Sequence, residues 1–394
     1  MINILVIITM FLSAYVLFFA IAGQYSKIYR EDGSGSTFDT RPARFLVLVP
    51  AHNEGEYIRP TLKSLHNLQY PKDFYHIVVI ADNCTDDTQR ISAQEGCEVW
   101  ERDDAKLHGK GHALAWALKK ARSDSWDAAV IIDADSIVSN NLLERFSCEL
   151  SNGHTAIQAR YIFDFSTKGK TWLGIISVMS KRAEDLCISR PRSRLSLYQG
   201  LQGNGFCLSS KLLKEVPWNA HSICEDLEYG FELAKHGYTI NYIENAYVMA
   251  TMTSNLQHAS TQRQRWALGT YLLIAKTIPT LLRNAYNKHD WKSIEACIYL
   301  FTLSRMPMFI LTLLIGVTLL LTQNKFNNIS WILFYITLLF QGTYVASILN
   351  TARKEQHSSR IIIYIFAYGL WLTFQQCLSL MNIRNATWRR TERG

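Results

Sequence analysis

Long apolar runs lie toward the two ends of the chain, and between them short apolar runs alternate with amphipathic ones. In the middle stretch FLVLVP (Phe45 to Pro50), HIVVIAD (His76 to Asp82), Cys97 to Trp100 and AAVIIDAD (Ala128 to Asp135) have the length of buried strands. Gly55 to Leu68, a segment from about Asp86, and Gly111 to Ala121 carry helical spacing. This βαβαβ order predicts an α/β fold with a mostly parallel, doubly wound sheet. Ligands of such sheets bind beyond the carboxyl ends of the strands, so the polar clusters that follow each apolar run are the places to look for chemistry.

The end runs read differently. Ile2 to Ala22 has the length of a membrane span. A signal peptide is the rival reading, but no basic region precedes the run and no convincing cleavage site follows it. Lys27 and Arg30 follow instead, which predicts a cytoplasmic flank. Met306 to Thr322 and Ile329 to Asn350, joined by QNKFNN, read as a membrane hairpin, and the basic segment TARKEQHSSR after them reads as cytoplasmic. Ile361 to Phe374, interrupted by Gln375 and Gln376, is short for a span and suits a membrane-lying helix. The expected organisation is a membrane helix at 1–25, a cytoplasmic α/β domain at 41–255, interfacial helices at 256–300, and a hairpin, membrane-lying helix and basic tail at 301–394. That gives three crossings of the cell membrane, with four as the alternative.

Charge and composition narrow the class. The formal charge is +8, yet the basic residues gather beside apolar runs, and no basic stripe with interleaved aromatics crosses the middle stretch. A lipid bilayer is therefore the expected partner and nucleic acid is not. The eight cysteines stand singly, without metal-ligand or disulfide spacing, which suits a reducing compartment. A transporter is a poor reading, because the polar middle dominates and only Arg305 places a charge at the edge of a span.

Candidate chemistry follows the strands. VLVPAHNE brings Pro50 and Glu54 to one strand end and ADNCTDDT brings Asp82 to another; helix caps would look the same. IDADS is more telling: Asp133 and Asp135 flank one position after a buried strand, and in extended geometry both can face one Mg²⁺ or Mn²⁺ on a diphosphate. Lys110 stands between two glycines before a helix, where it can meet a phosphate or a sugar hydroxyl. The glycine-rich QGLQGNGFCLS reads as a turn or as the lining of an acceptor pocket. Glu225 and Asp226 open a helix as ordinary N-terminal acids do, but a carboxylate there also suits a general base toward a sugar hydroxyl. In QRQRW, Arg263 and Arg265 suit a diphosphate and Trp266 a sugar ring, with an interfacial helix as the alternative.

Taken together and in this order, the motifs from Arg41 to Trp266 resemble glycosyltransferase family 2, in its membrane-integrated branch of cellulose, chitin and hyaluronan synthases and related bacterial polysaccharide enzymes. The tail TWRRTER resembles a terminal pattern of bacterial members. The resemblance implies a GT-A-type mixed sheet that binds a UDP-sugar and transfers the sugar with inversion to a glycan or lipid-linked acceptor. It implies that Asp82 meets the uridine end, alongside Pro50, Glu54, Lys110 and Arg263 in the donor site. Asp133 and Asp135 would hold diphosphate and metal, and Asp226 would take the acceptor proton. Glu225, Gln262, Arg265 and Trp266 would cover the nucleotide and the acceptor terminus. CED stands where TED is more usual, which leaves the carboxylates intact. A polymerising synthase, an enzyme adding one sugar to a glycolipid, and a non-catalytic nucleotide-binding scaffold remain distinct expectations.

Overall fold

The computed structural model describes residues 2–25, 41–121, 125–164, 172–251, 256–303, 306–322, 328–353 and 361–381. Lys27, Arg30, Arg305, most of QNKFNN, the basic segment beyond Arg353 and the TWRRTER tail lie outside them. In chain order the elements are α1 (Ile2–Tyr25), β1 (Phe45–Ala51), α2 (Ile58–His66), β2 (Tyr75–Asp82), α3 (Thr88–Gln94), β3 (Glu98–Arg102), α4 (Lys110–Lys120), β4 (Ala128–Ile131) and β5 (Ser136–Val138). Next come α5 (Leu142–Ser151), β6 (Ala156–Asp164), α6 (Trp172–Glu184), a π-helical turn (Asp185–Ser189), α7 (Arg190–Arg194), β7 (Phe206–Ser209), α8 (Ser210–Glu215), α9 (Glu225–Lys235) and β8 (Asn241–Thr251). The chain continues through α10 (Leu256–Lys288), α11 (Trp291–Thr302), α12 (Met306–Leu321), α13 (Asn328–Arg353) and α14 (Ile361–Met381).

Among the described residues the strands form one sheet in the order β3-β2-β1-β4-β7-β6-β8-β5. β1, β2, β3 and β4 pair in parallel, whereas β7 is antiparallel to both β4 and β6. Strands buried on both faces need apolar residues at every position, and β1 is such a strand. Val47 and Val49 face a core shared with Ile58, Leu62 and Leu65 of α2 and Phe146 of α5. Leu46 and Leu48 face the opposite core, shared with Leu114 and Ala117 of α4 and with Tyr229 and Leu233 of α9. Helices thus cover both faces, as the alternating pattern predicts. On its other side α9 turns Phe231 and Ala234 toward Leu273 and Leu281 of α10 and Leu300 of α11. The helix that begins with Glu225 is therefore wedged between the sheet and the helices that lead to the apolar end.

That end is built inside out. Gln341 of α13 donates to Ser13 of α1 (3.1 Å) and Thr312 of α12 (2.8 Å), all three buried. Ile4, Ile7 and Phe11 of α1, Leu313 and Leu320 of α12, and Ile332 and Leu339 of α13 are exposed. Polar contacts inside and aliphatic side chains outside suit lipid rather than water. α1 and α13 are long and apolar enough to cross a bilayer, and Met308–Leu321 is a shorter apolar helix. α14 is a helix, as the sequence suggests, and runs for 21 residues, about 31 Å at 1.5 Å per residue. Gln375 and Gln376 lie within it, as good helix formers can, and Gln375 Oε1 accepts a hydrogen bond from Gln264 Nε2 of α10 at 2.7 Å.

Candidate active site

The carboxyl ends of β1, β2 and β4 open into a cleft of about 710 Å³, lined by Pro50, Ala51, His52, Glu54, Asp82, His108, Gly109, Lys110, Ala113, Asp133, Ala134 and Asp135. The chain turns sharply out of β1 and β2 at Asn53 and Asn83, at φ +56° and +51°. Asparagine tolerates this left-handed region and can bond locally there. Asn53 Oδ1 accepts from Thr85 N at 2.7 Å, and Asn83 Oδ1 accepts from Asp104 N at 2.9 Å. His52 Nδ1 lies 2.7 Å from the Asp82 carbonyl oxygen. The buried Asp82 carboxylate is paired with the buried Arg102 guanidinium, which also donates to the Leu107 carbonyl at 2.8 Å.

The acid pair needs a correction. β4 ends at Ile131, so Asp133 and Asp135 are not extended; they lie in a turn in which Ser136 N meets Asp133 O at 3.2 Å. Side chains replace the lost ladder partners. The buried Asn204 accepts from Asp133 N (3.0 Å) and donates to Ser136 Oγ (2.7 Å), while Thr61 Oγ1 donates to the Ala134 carbonyl (2.8 Å). The Asn204 carbonyl in turn accepts from Gln158 Nε2 at 2.8 Å.

Lys110 joins this turn to the acids of α9. Its ammonium binds both the Asp133 carboxylate and the Gly203 carbonyl. Gly203 has φ +81°, and a Cβ there would stand 3.0 Å from Asp226 Oδ2. Gly111 likewise lets α4 approach α9, since a Cβ would stand 3.1 Å from that of Glu225. Burial alone would lower the Lys110 pKa, but Asp133, Glu225 and Asp226 outweigh it and hold the amine above its ordinary value. Burial, then the neighbouring Asp226, pushes Glu225 up to about 7, with Lys110 opposing. Burial also raises Asp226, against the Leu227 N–H and Lys110. A carboxylate held near neutrality can take a proton at physiological pH.

Pro50, Glu54, Asp82, Lys110, Asp133 and Asp135 thus share one cleft, and Glu225 and Asp226 adjoin it through Lys110 and Gly203. The QRQRW residues do not line that cleft. They ride on α10 beside the start of α9, where Cys224 Sγ lies 3.7 Å from the Trp266 carbonyl and Gly269 would place a Cβ 2.4 Å from that sulfur. The Arg263 guanidinium lies 4.7 Å over the Trp266 ring and 6.0 Å from that of Tyr368, rather than among the cleft residues. Among the described residues Gln262 Oε1 is enclosed without a hydrogen-bond partner, and Arg265 lies near enough to Cys224 to oppose the rise that burial imposes on its thiol pKa. Sequence reasoning missed Arg102 and Gln158, and read the stretch that holds Asn204 only as a turn or an acceptor lining; all three position the acids, as partners distant from them in sequence.

The donor chemistry at Asp133 and Asp135 fits a hard divalent cation. The Lys110 ammonium already stands on Asp133 as a cation would. Among the described residues no third His, Cys, Asp or Glu completes a cage, so a cation here would draw its remaining ligands from diphosphate and water.

The sheet order and the two-sided helix cover define a GT-A fold. The mannosyltransferase PcManGT from Pyrobaculum calidifontis, solved with GDP-Man and Mn2+, matches at TM-score 0.59 and 14% identity, covering 94% of this chain and 99% of that one. Residues 42–269 match the glycosyltransferase like family 2, and the chain belongs to that family. The beta-monoglucosyldiacylglycerol synthase of Nostoc sp. is 26% identical over 66% of this chain, which spans 56% of that enzyme's length. The probable glycosyltransferase YdaM of Bacillus subtilis is 23% identical over 88% of this chain and 86% of its own. The poly-beta-1,6-N-acetyl-D-glucosamine synthase of Staphylococcus epidermidis is 22% identical over 88% and 87%.

Proposed function

We propose that this chain transfers a sugar, with inversion, from a UDP-sugar to a membrane-associated glycan or glycolipid acceptor. The carrying observation is the bridge from Asp133 through Lys110 to Gly203, with Asp226 against that glycine. It joins a diphosphate-facing acid pair to a buried carboxylate of raised pKa. In the reaction the acceptor hydroxyl oxygen bonds to the anomeric carbon while the bond from that carbon to the diphosphate oxygen breaks. The electron pair leaves on UDP, and the hydroxyl proton passes to Asp226. Attack opposite the leaving group inverts the configuration.

The cleft residues give these roles physical form. Asp82, fixed by Arg102, orients the nucleoside end, with Pro50 and Glu54 at the rim. Lys110 adds positive charge where the leaving diphosphate gains negative charge. Asp133 and Asp135 would hold Mg²⁺ or Mn²⁺, which supplies Lewis-acid neutralisation of the diphosphate when bound. Glu225 tunes Asp226 by its adjacent charge. Gln262, Arg265 and Trp266 form the acceptor-side cover, and Arg263 acts through its stacking on Trp266. The inside-out helices support a multi-pass cell-membrane protein with a cytoplasmic active site.

The test is UDP release by protein purified in detergent, across a panel of UDP-sugars with Mg²⁺ or Mn²⁺ and both glycan and lipid acceptors. Turnover of one donor that is lost in Asp226→Asn and Asp135→Asn is expected. Donor binding that neither variant alters, with no turnover, would instead favour a nucleotide-binding scaffold. Product size in the same reaction separates polymer formation from single addition.

A further inference from the structure

The last turns of α10 and the length of α11 carry an outward face that the transfer chemistry does not use. Leu282 and Tyr286 of α10 stand four residues apart on one side of the helix, and both are exposed, Tyr286 at 83%. Trp291, Ile294, Ile298 and Phe301 of α11 recur at intervals of three, four and three, so they form one stripe. Trp291, at 60%, Ile294 and Phe301 are exposed, and Ile298 is half-buried. In a water-soluble protein such a stripe turns inward. Here the inward face is already taken: Ala296, Tyr299 and Leu300 pack with Phe231 and Ala234 of α9 and Leu273 and Leu281 of α10. α11 is therefore apolar on two sides.

Charge is divided between the same two sides. From Leu256 to Leu303 the chain has two acids, Asp290 and Glu295, and both turn inward. Asp290 caps α11, accepting from Lys292 N at 3.1 Å and Ser293 Oγ at 2.7 Å, and it also accepts from the Tyr198 hydroxyl at 3.0 Å. Glu295 is held by Arg192 and Tyr15. The ion pairs of this segment among the described residues are Lys276 with Glu228 and Glu295 with Arg192, and neither involves Arg283, Lys288 or Lys292. Those three cations stand at the corner between α10 and α11, beside Tyr286 and Trp291.

The surroundings of this face say what covers it. Tyr15 meets Glu295 midway along α11, which sets α11 beside the part of α1 that exposes Phe11, Phe18 and Ile21. Phe301 ends α11 just ahead of α12, which exposes Leu313, Leu314 and Leu320. The stripe thus continues the aliphatic surface of α1 and α12, and its cationic corner lies at the other end. Exposed aromatics with Lys and Arg beside them match the depth of phospholipid headgroups, and the cytoplasmic leaflet carries anionic ones. A second copy of the chain on the same face would set three cations against three.

We propose that the face from Leu282 to Phe301 docks on the bilayer surface, where Arg283, Lys288 and Lys292 select anionic phospholipid. This rests on the membrane placement given above and not on the transfer chemistry.

The test uses full-length protein in nanodiscs of phosphatidylcholine, alone or with about a third phosphatidylglycerol. Hydrogen exchange follows the backbone amides, and native mass spectrometry counts the lipids retained on release. In the wild type, amides of 282–301 should exchange about threefold or more slowly with phosphatidylglycerol present, while those of α13 stay unchanged. Phosphatidylglycerol should be retained in excess over its share of the disc. Arg283→Gln, Lys288→Gln and Lys292→Gln together should cut that excess about tenfold or more, since each basic residue at such a surface is worth about fivefold. Lys63→Gln, Lys119→Gln and Lys211→Gln together are the charge-matched control and should leave it intact. Equal exchange and retention in the two discs, or an equal loss in the control, would overturn the proposal while leaving the membrane placement intact. A dimer mass with 282–301 protected in phosphatidylcholine alone would assign the face to a second copy and overturn it as well. Protein that stays soluble without detergent and enters neither disc would remove the membrane placement, and this proposal with it.

Discussion

Gly203→Ala tests the link between backbone geometry and the proposed base, and Gly205→Ala is its control. Both glycines have positive φ, +81° and +69°. Alanine in that region costs roughly 1–2 kcal/mol, so each variant should unfold some 2–8 °C below wild type. The new methyl groups meet different neighbours. At 203 it stands 3.0 Å from Asp226 Oδ2 and 3.6 Å from Cγ, so the carboxylate must give by a few tenths of an ångström. At 205 it stands 2.5 Å from Val248 Cγ2, an aliphatic branch away from the acids. Because a 1 Å misplacement of a reacting group costs on the order of a hundredfold, Gly203→Ala should lower kcat about 3- to 10-fold and Gly205→Ala much less. Thermal unfolding and UDP release with saturating donor and acceptor check this. Equal kcat losses in the two variants, or a Gly203→Ala protein that melts lower yet turns over at the wild-type rate, would refute placing the base against that glycine.

Other consequences follow from the same contacts. Asn204→Ala leaves the Asp133 N–H and the Ser136 hydroxyl without partners; it should cost about 1–3 kcal/mol for each group left unpaired and raise the donor KM more than the acceptor KM. With Glu225 pushed up to about 7, kcat/KM should rise with pH through that region as the acid pair ionises, and a profile flat from pH 5.5 to 8.5 would contradict the assignment. The linkage has the opposite sign for stability. A carboxyl whose folded pKa exceeds its ordinary 4.5 binds more protons folded than unfolded, so its contribution falls as pH rises from about 4.5 to about 7 and is level above; urea midpoints across that window measure it. Arg192→Met strands Glu295, which is 12% exposed, and should lower the melting temperature by on the order of 10 °C; adding Glu295→Leu should restore most of it, and no recovery would show the pair is not the cause.

The sheet and the acids were legible in the sequence because each depends on local pattern. A strand buried on both faces must be apolar throughout, as FLVLV is, and polar residues can begin only where the strand meets the cleft. That rule located Pro50, Asp82 and Asp133. It did not show that β4 stops at Ile131, since the turn is held by Asn204 and Thr61, remote in sequence from the acids. What Gln375 and Gln376 do in α14 was hidden for a related reason. Two amides disfavour a lipid-facing helix, but here Gln264 of α10 meets one of them, so the polar pair marks a helix–helix contact. Arg263 shows the limit of motif reading: residues three apart share a helix face, and its guanidinium stacks on Trp266.

The contacts of α1 bear on what a first apolar helix does in such a protein. An anchor needs only length and apolar composition, and any similar helix would serve. α1 has more specific partners. Tyr15 donates to Glu295 at 2.5 Å and accepts from Arg192 at 2.8 Å, and the Arg192 guanidinium lies 3.8 Å from the Tyr299 ring centroid. Arg192 is 1% exposed, and a charge so buried is tolerated only when several groups meet it. One of those groups comes from α1, so removing the helix would leave the guanidinium short of a partner in α7. Gly23 makes the second connection, because the Leu186 carbonyl lies where any side chain would stand. α1 is thus fixed at two points to the segment that leads through Ser189 and Gln202 to Gly203. The apolar helix and the loop beside Asp226 are therefore parts of one packed unit.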